Sequence, residues 1–150
     1  MKTRPDLKNV IKTELVSWLQ DAAIAPYRAD QILKWVYVHQ ADDFSAMTNI
    51  SKEIRLLLSQ TFSLERLEIV DKKKGADGTR KYLWRLSDGE CIESVLIPEE
   101  GHDTLCISTQ VGCAQGCRFC LTARRGFTRN LTCAEILSQI TDIRRDSPHP

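Results

Sequence analysis

The chain has 150 residues, 42% of them hydrophobic and 27% charged, with a formal net charge of +1. That balance excludes wholesale disorder and a protein that binds nucleic acid through bulk charge alone, and no apolar run is long enough to span a membrane. Residues 1–6 are polar and lack the apolar core of a secretory signal; the expected compartment is therefore the reducing cytoplasm, and the six cysteines are not expected to serve as disulfide staples.

Residues 7–62 read as helical. Val10, Ile11, Leu15, Trp18 and Leu19 recur at helical spacing and predict one amphipathic helix. Pro26 suits the first turn of a second, with Ile32, Leu33, Trp35, Val36 and Tyr37 as its apolar stripe. Asn49 or Ser51 is a candidate cap for a third helix carrying Ile54, Leu57, Leu58 and Phe62. Trp18, Trp35 and Phe44 are expected in the core. The period then changes to two. Leu67 and Ile69, then Tyr82, Trp84 and Leu86, then Ile92, Ser94 and Leu96 predict an antiparallel meander. Its turns are Gly75-Ala76-Asp77-Gly78 and Ser87-Asp88-Gly89. Leu105-Cys106-Ile107-Ser108-Thr109 reads as a further strand, and a cysteine-rich loop follows. Thr132 and Glu135 form a capping box for a last helix, with Ile136, Leu137 and Ile140 as its apolar face. Strand, loop and helix make one β/α unit of the kind found in parallel sheets and barrels, and one unit cannot close a barrel. The expected divisions are a helical domain over 1–64, a meander over 65–100 and a β/α unit over 101–150, the last being incomplete.

The loop carries the chemistry. Cys113, Cys117 and Cys120 lie in Gly112-Cys113-Ala114-Gln115-Gly116-Cys117-Arg118-Phe119-Cys120, a C-x3-C-x2-C spacing. Three thiolates so close can hold three irons of a cubane [4Fe-4S] cluster and leave the fourth iron without a protein ligand, a site suited to activating a small molecule. Positions i, i+4 and i+7 would share a helix face, so buried core cysteines are one alternative; Gly112 and Gly116 argue against a helix and let backbone approach a bulky inorganic group. A zinc site is another alternative, with Cys106, His102 or Cys133 as fourth ligand. A closed cluster that only carries electrons would likewise need a fourth ligand. Phe119 can shield a cluster from water. Cys91 and Cys133 read as buried cysteines.

Charge is distributed unevenly. No Asp or Glu occurs over 104–134, where Arg118, Arg124, Arg125 and Arg129 all fall. Lys72, Lys73, Lys74, Arg80 and Lys81 form a second basic patch. Both could meet phosphates, and the arginines would also favour thiolates and an anionic cluster. Glu93 shares a strand face with Val95 and Ile97, as either an exposed carboxylate or an inward one able to move a proton.

The spacing, with an aromatic residue before the last cysteine, resembles the radical-SAM signature. The flanking Leu105-Cys106-Ile107-Ser108-Thr109-Gln110-Val111-Gly112-Cys113 and Gly126-Phe127-Thr128-Arg129-Asn130-Leu131-Thr132 resemble the RlmN-type adenine-C2 RNA methyltransferases. So do Asp77-Gly78-Thr79-Arg80-Lys81, Ile92-Glu93-Ser94-Val95-Leu96-Ile97-Pro98, Tyr27-Arg28-Ala29-Asp30-Gln31-Ile32 and Phe44-Ser45-Ala46-Met47-Thr48-Asn49. The resemblance runs over nearly the whole chain. It implies an α+β accessory domain, helices then antiparallel meander, followed by the start of a radical-SAM α/β partial barrel truncated after its first β/α unit.

The resemblance also implies the chemistry. A [4Fe-4S] cluster on Cys113, Cys117 and Cys120 and S-adenosyl-L-methionine on the open iron would supply a radical able to attack an adenine carbon that is not nucleophilic. The substrate would be large-subunit ribosomal RNA and, in some members, transfer RNA, with the target adenine drawn from its stack. An electron donor such as flavodoxin or ferredoxin is implied as well. Cys106 takes the place of the cysteine that resolves the protein–RNA adduct. Glu93 takes a role at the substrate carbon, as a base; a glutamate there favours the C2 enzymes over the related C8 methyltransferases. The methyl-carrying cysteine is expected beyond residue 150, so the chain is expected to be an N-terminal portion, inactive alone.

Overall fold

The computed structural model describes residues 4–147 and divides into two compact units, 1–66 and 67–150. The first is helical. A 3-10 turn, Leu7–Asn9, is followed by α1 (Lys12–Asp21), α2 (Arg28–Tyr37), a second 3-10 turn at Phe44–Ala46 and α3 (Lys52–Thr61). Each helix turns its apolar stripe inward, so Leu7, Leu15, Leu19, Ile32, Phe44, Met47 and Leu58 form one buried cluster, with Trp18 and Trp35 packed against it half-buried. Ile11, at the start of α1, stays outside it. Of the two candidate caps for α3, Ser51 takes the role by accepting from the Ile54 amide, whereas Asn49 accepts from the Trp35 indole N–H at 2.6 Å. Pro26 sits in the turn ahead of α2, its carbonyl accepting from the Ala29 amide. The ends of the unit are tied together: Lys8 and Asp6, both buried, pair at 3.0 Å, and the Lys8 ammonium also donates to the Glu65 carbonyl.

The second unit is built on a four-stranded antiparallel sheet in sequential order: β1 (Glu68–Lys74), β2 (Arg80–Arg85), β3 (Cys91–Glu99) and β4 (His102–Cys106). Alternation sets its two faces. Tyr82 and Trp84 of β2 and Ile92, Ser94 and Leu96 of β3 point inward. β1 is an edge strand exposed along its whole length, and Ile69 and Val70 lie outside the core, contrary to the expected inward Ile69. A bulge at Val70 interrupts its pairing with β2. The lysines of this edge oppose further cations, Lys73 against Lys81 and Lys74 against Arg80, a charge arrangement that discourages edge-to-edge association.

Three short elements and a helix complete the unit: β5 (Gln110–Gly112), α4 (Leu121–Arg124), β6 (Phe127–Asn130) and α5 (Cys133–Arg144). β5 and β6 pair antiparallel. The strand expected to open a β/α unit is β4, and it spans His102–Cys106 rather than reaching Thr109. It pairs antiparallel with β3 because a two-residue turn, Glu100-Gly101, joins them, and a parallel pair needs a long crossover. Every pairing between the named strands is antiparallel. The capping box on α5 forms as expected, Thr132 accepting from the Glu135 amide and Glu135 accepting from the Thr132 amide. The buried face of α5 is Ala134, Ser138, Gln139 and Ile143; Ile140 faces outward. Ile143 joins Tyr82, Trp84, Leu96, Val111 and Leu131 in a second core, against which Ile136 packs. No helix among the described residues is long and apolar enough to cross a membrane.

Candidate functional site

The cysteine loop is the connection inside the β5–β6 hairpin. Its two ends are pinned by the pairing of Gln110 with Asn130 and Val111 with Arg129, and by a bond from the Cys113 amide to the Gly126 carbonyl. Gln110 adds two side-chain bonds, donating to Asn130 Oδ1 and accepting from the Ala114 amide. Gly112 sits at φ +74°, and a Cβ built there would stand 1.8 Å from the Gly126 carbonyl oxygen. Glycine is therefore required where the strand turns into the loop.

Cys113, Cys117 and Cys120 are free thiols, each half-buried. Cys120 is held below the usual thiol range by the backbone N–H groups of Ala123 and Thr122 at the start of α4. A reduced, soft, thiolate-forming donor set is what a cluster requires. The loop does not itself draw these thiols into a constellation: among the described residues no three His, Cys, Asp or Glu side chains are gathered closely enough to hold a metal ion. This applies equally to the zinc alternative built on Cys106, His102 or Cys133. Phe119 is 90% exposed and covers nothing in this conformation, and Leu121 and Phe127 are exposed as well. Cys133 is exposed and Cys91 half-buried, so neither is the buried cysteine that was expected.

Cys106 is exposed at the end of β4, opposite Val95. Glu93 projects from the outer face of β3 and pairs with the Lys81 ammonium at 2.7 Å. Of the two readings of this carboxylate, the exposed one holds. It lines a cleft of about 270 Å³ shared with Lys81, Ser108, Gln110, Leu121 and Arg125, which brings Glu93 beside the cysteine loop but includes neither Cys106 nor the three loop cysteines. A larger cleft of about 610 Å³ lies within the helical unit, lined by Phe44, Leu56 and Phe62 among others.

The arginines divide into two kinds. Arg118, Arg124 and Arg125 are exposed around the loop. Arg129 is structural: its guanidinium makes two parallel bonds to the Glu135 carboxylate, at 2.8 and 2.9 Å, and a third to Asp88 at 2.8 Å. This fork ties the β2–β3 turn and α5 to the strand leaving the loop. The basic hairpin is partly neutralised as well, Lys72 pairing with Asp146, Lys73 with Asp71 and Lys81 with Glu93.

The Arg129 fork sets a pH dependence. Hydrogen bonding to Arg129 holds both Glu135 and Asp88 below the usual carboxylate range. Carboxylates depressed in the folded state stabilise it fully above their unfolded pKa values of about 4, and the contribution is lost as pH falls through the folded values. Stability is expected to hold from pH 7 to about 5 and to drop below about 4. An Arg129→Met chain should show a lower urea midpoint at pH 7 and a flatter acid limb, read by urea unfolding at a series of pH values.

Residues 5–64 match the ribosomal RNA large subunit methyltransferase N-terminal domain. The chain is 59% identical over 135 residues to the dual-specificity RNA methyltransferase RlmN of Desulfosudis oleivorans, covering 90% of this chain and 36% of that protein. It is 51% identical over 146 residues to the Pelobacter propionicus RlmN, covering 97% and 42% respectively. The chain is thus similar to the N-terminal portion of RlmN enzymes. Its fold matches the crystal structure of a radical SAM methyltransferase from Sphaerobacter thermophilus with a TM-score of 0.85 at 39% identity, over 95% of this chain and 42% of that one. An α+β arrangement of helices followed by antiparallel strands is thus common to both. The chain spans about two fifths of the length of these RlmN relatives.

Two side chains here take roles that neighbours along the chain do not reveal. Arg129 was read as an open cation because its partners lie 41 positions before it and 6 after. Gln139 was not considered; its one sequence signal is that it lies three residues after Ile136 and four before Ile143, a polar side chain on an apolar face.

Proposed function

We propose that this chain carries the cluster loop and RNA-gripping domain of a radical-SAM methyltransferase acting on C2 of adenine in large-subunit ribosomal RNA and in transfer RNA. The observation that carries the reading is the C-x3-C-x2-C loop braced in an antiparallel hairpin, in a sequence 59% identical to an RlmN enzyme. Cys113, Cys117 and Cys120 would hold a [4Fe-4S] cluster. When bound, with S-adenosyl-L-methionine, the cluster supplies the one-electron chemistry that an unreactive adenine carbon needs.

The other residues act around that centre. Phe119, Leu121 and Phe127 are exposed apolar side chains suited to excluding water once a partner surface covers them. Arg118, Arg124 and Arg125 offer charge to RNA phosphates, which position a folded RNA without reading its sequence. Glu93 would hold or accept a proton at the substrate, its carboxylate oriented by the Lys81 ammonium. Cys106, exposed and reduced, would serve as the thiol that resolves a covalent adduct. A flavodoxin or ferredoxin is the proposed source of electrons, and the cytoplasm the proposed compartment.

Anaerobic reconstitution with iron and sulfide tests the reading. The chain should bind about four irons and turn brown. Cys113→Ala, Cys117→Ala and Cys120→Ala should each abolish that binding, and Cys106→Ala should retain it. Stoichiometric zinc without iron would overturn the proposal in favour of a non-catalytic RNA-binding module. Loss of the cluster in Cys106→Ala would overturn the open-iron arrangement.

A further inference from the structure

Gln139 is fully buried in the sheet-facing side of α5, yet it carries an amide. Every hydrogen-bonding group of that amide is used. Its Oε1 accepts from the Ser108 amide at 2.9 Å and from the Ser94 hydroxyl at 2.6 Å. Its Nε2 donates to the Ser108 carbonyl at 2.9 Å and to the Glu135 carbonyl at 3.3 Å. The side chain therefore bonds both backbone groups of one residue, as a neighbouring strand would. Ser94 extends the network by accepting from the Trp84 indole N–H at 3.1 Å.

Ser108 stands in the short link between β4 and β5, outside any strand, where its backbone would otherwise have no ladder partner. It lies two residues after Cys106 and two before Gln110, the first residue of the hairpin that enters the cysteine loop. The Ser108 hydroxyl donates to the Glu93 carbonyl at 2.7 Å, and the adjacent Thr109 carbonyl accepts from the Leu131 amide. The link is thus held from β3, from α5 and from the start of the α5 cap.

We infer that Gln139 is a positioning residue: its amide clamps Ser108 and so fixes the backbone that carries Cys106 on one side and the cysteine hairpin on the other. The net stability that each bond of a satisfied buried amide contributes is modest. What it adds is a defined backbone position, which packing against a side chain of similar volume does not supply. The consequence for cluster assembly rests on the function proposed above; the clamp itself does not.

Amide hydrogen exchange on the metal-free chain tests the clamp. In the unsubstituted protein the Ser108 amide should exchange about a hundredfold more slowly than that of the exposed Gln115 in the loop. Equal rates at the two positions would overturn the inference without any variant being made. Gln139→Met keeps the volume and removes the bonds. It should raise the Ser108 exchange rate to that of the loop and lower iron per folded chain after reconstitution to about half or less, with an altered electron paramagnetic resonance signal of the reduced cluster. Ser94→Ala is the contrast. It disturbs the same buried network and lowers the urea midpoint, but leaves both bonds to Ser108, so iron content and Ser108 protection should stay at the unsubstituted level. If Gln139→Met loads iron with the unsubstituted signal, or Ser94→Ala loses as much as Gln139→Met, the residue is merely structural and the inference fails. If the unsubstituted chain takes up no iron, the proposed function fails while the exchange result still decides the clamp.

Discussion

A Gly112→Ala chain is expected to lose the β5–β6 hairpin and, with it, the ability to take up iron. Two costs combine. At φ +74° an L-residue is strained by about 1–2 kcal/mol. More importantly, the new methyl group would sit 1.8 Å from the Gly126 carbonyl oxygen and 3.3 Å from the Phe127 Cα. The obstacle is backbone on the facing strand, so no side chain can rotate away, and relief requires separating the two strands. That separation sacrifices the bond from the Cys113 amide to the Gly126 carbonyl and the pairing of Gly112 with Phe127, at about 1 kcal/mol for each bond. The total is about 3–5 kcal/mol. Gly116→Ala and Gly89→Ala serve as controls. Both glycines also have positive φ, but nothing stands within 4 Å of the added methyl group, so each should cost only the backbone strain of about 1–2 kcal/mol. Urea midpoints of the three chains, with iron content after reconstitution, check the prediction. A Gly112→Ala midpoint no lower than that of Gly116→Ala would refute it.

Trp84→Ala should be about as damaging, for a different reason. Trp84 is 1% exposed and stacks on Tyr82 with ring centroids 5.2 Å apart and planes 8° from parallel. Removing the indole opens a cavity between the sheet and α5, a change that costs about 3–5 kcal/mol. It also leaves the Ser94 hydroxyl without its donor, though that oxygen keeps its bond to Gln139. Trp84→Phe separates the two effects: it restores most of the ring and keeps the stacking but not the N–H, and should cost about 1–2 kcal/mol. Hydrogen exchange at the β2 and β3 amides should accelerate strongly in the alanine chain and modestly in the phenylalanine chain. Equal acceleration in both would mean that the hydrogen bond, rather than the volume, carries the stability.

Much of the fold was legible because it rests on local chemistry. The stripes on α1–α3, the period-two alternation of β2 and β3, the Gly-containing turns and the capping box at Thr132 and Glu135 each act within a few residues. Where local signals were weak, the reading slipped. The ends of α1 and α2 carry no mark in the sequence, because Ala23 and Gln40 take positive φ there without the glycine that usually signals it. Ile69 looks like a core residue by pattern, yet β1 is the sheet edge, and only the strand order decides which side of an edge strand is covered. β4 was expected to run from Leu105 to Thr109, but it starts at His102 and ends at Cys106, because the two-residue turn after β3 sets it against that strand from its first residue.

The candidate site divides along the same line. Ligand chemistry is a property of residue type and spacing, so Cys113, Cys117 and Cys120, and the glycine before them, could be read directly from the chain. Whether a cation is open to a phosphate or committed to a carboxylate depends on groups distant in sequence. Arg129 is committed because folding brings Asp88 and Glu135 to its two sides, and Arg118, Arg124 and Arg125 stay exposed. Gln139 reaches Ser108 across 31 positions, a distance over which no periodicity argument operates. By itself the amino-acid order determined the thiol set, the helical and alternating segments and the caps, because these follow from neighbours along the chain. Tertiary structure alone decided the edge role of β1, the Arg129 fork, the Lys81–Glu93 pair and the clamp on Ser108. Each of those depends on where a distant backbone comes to rest.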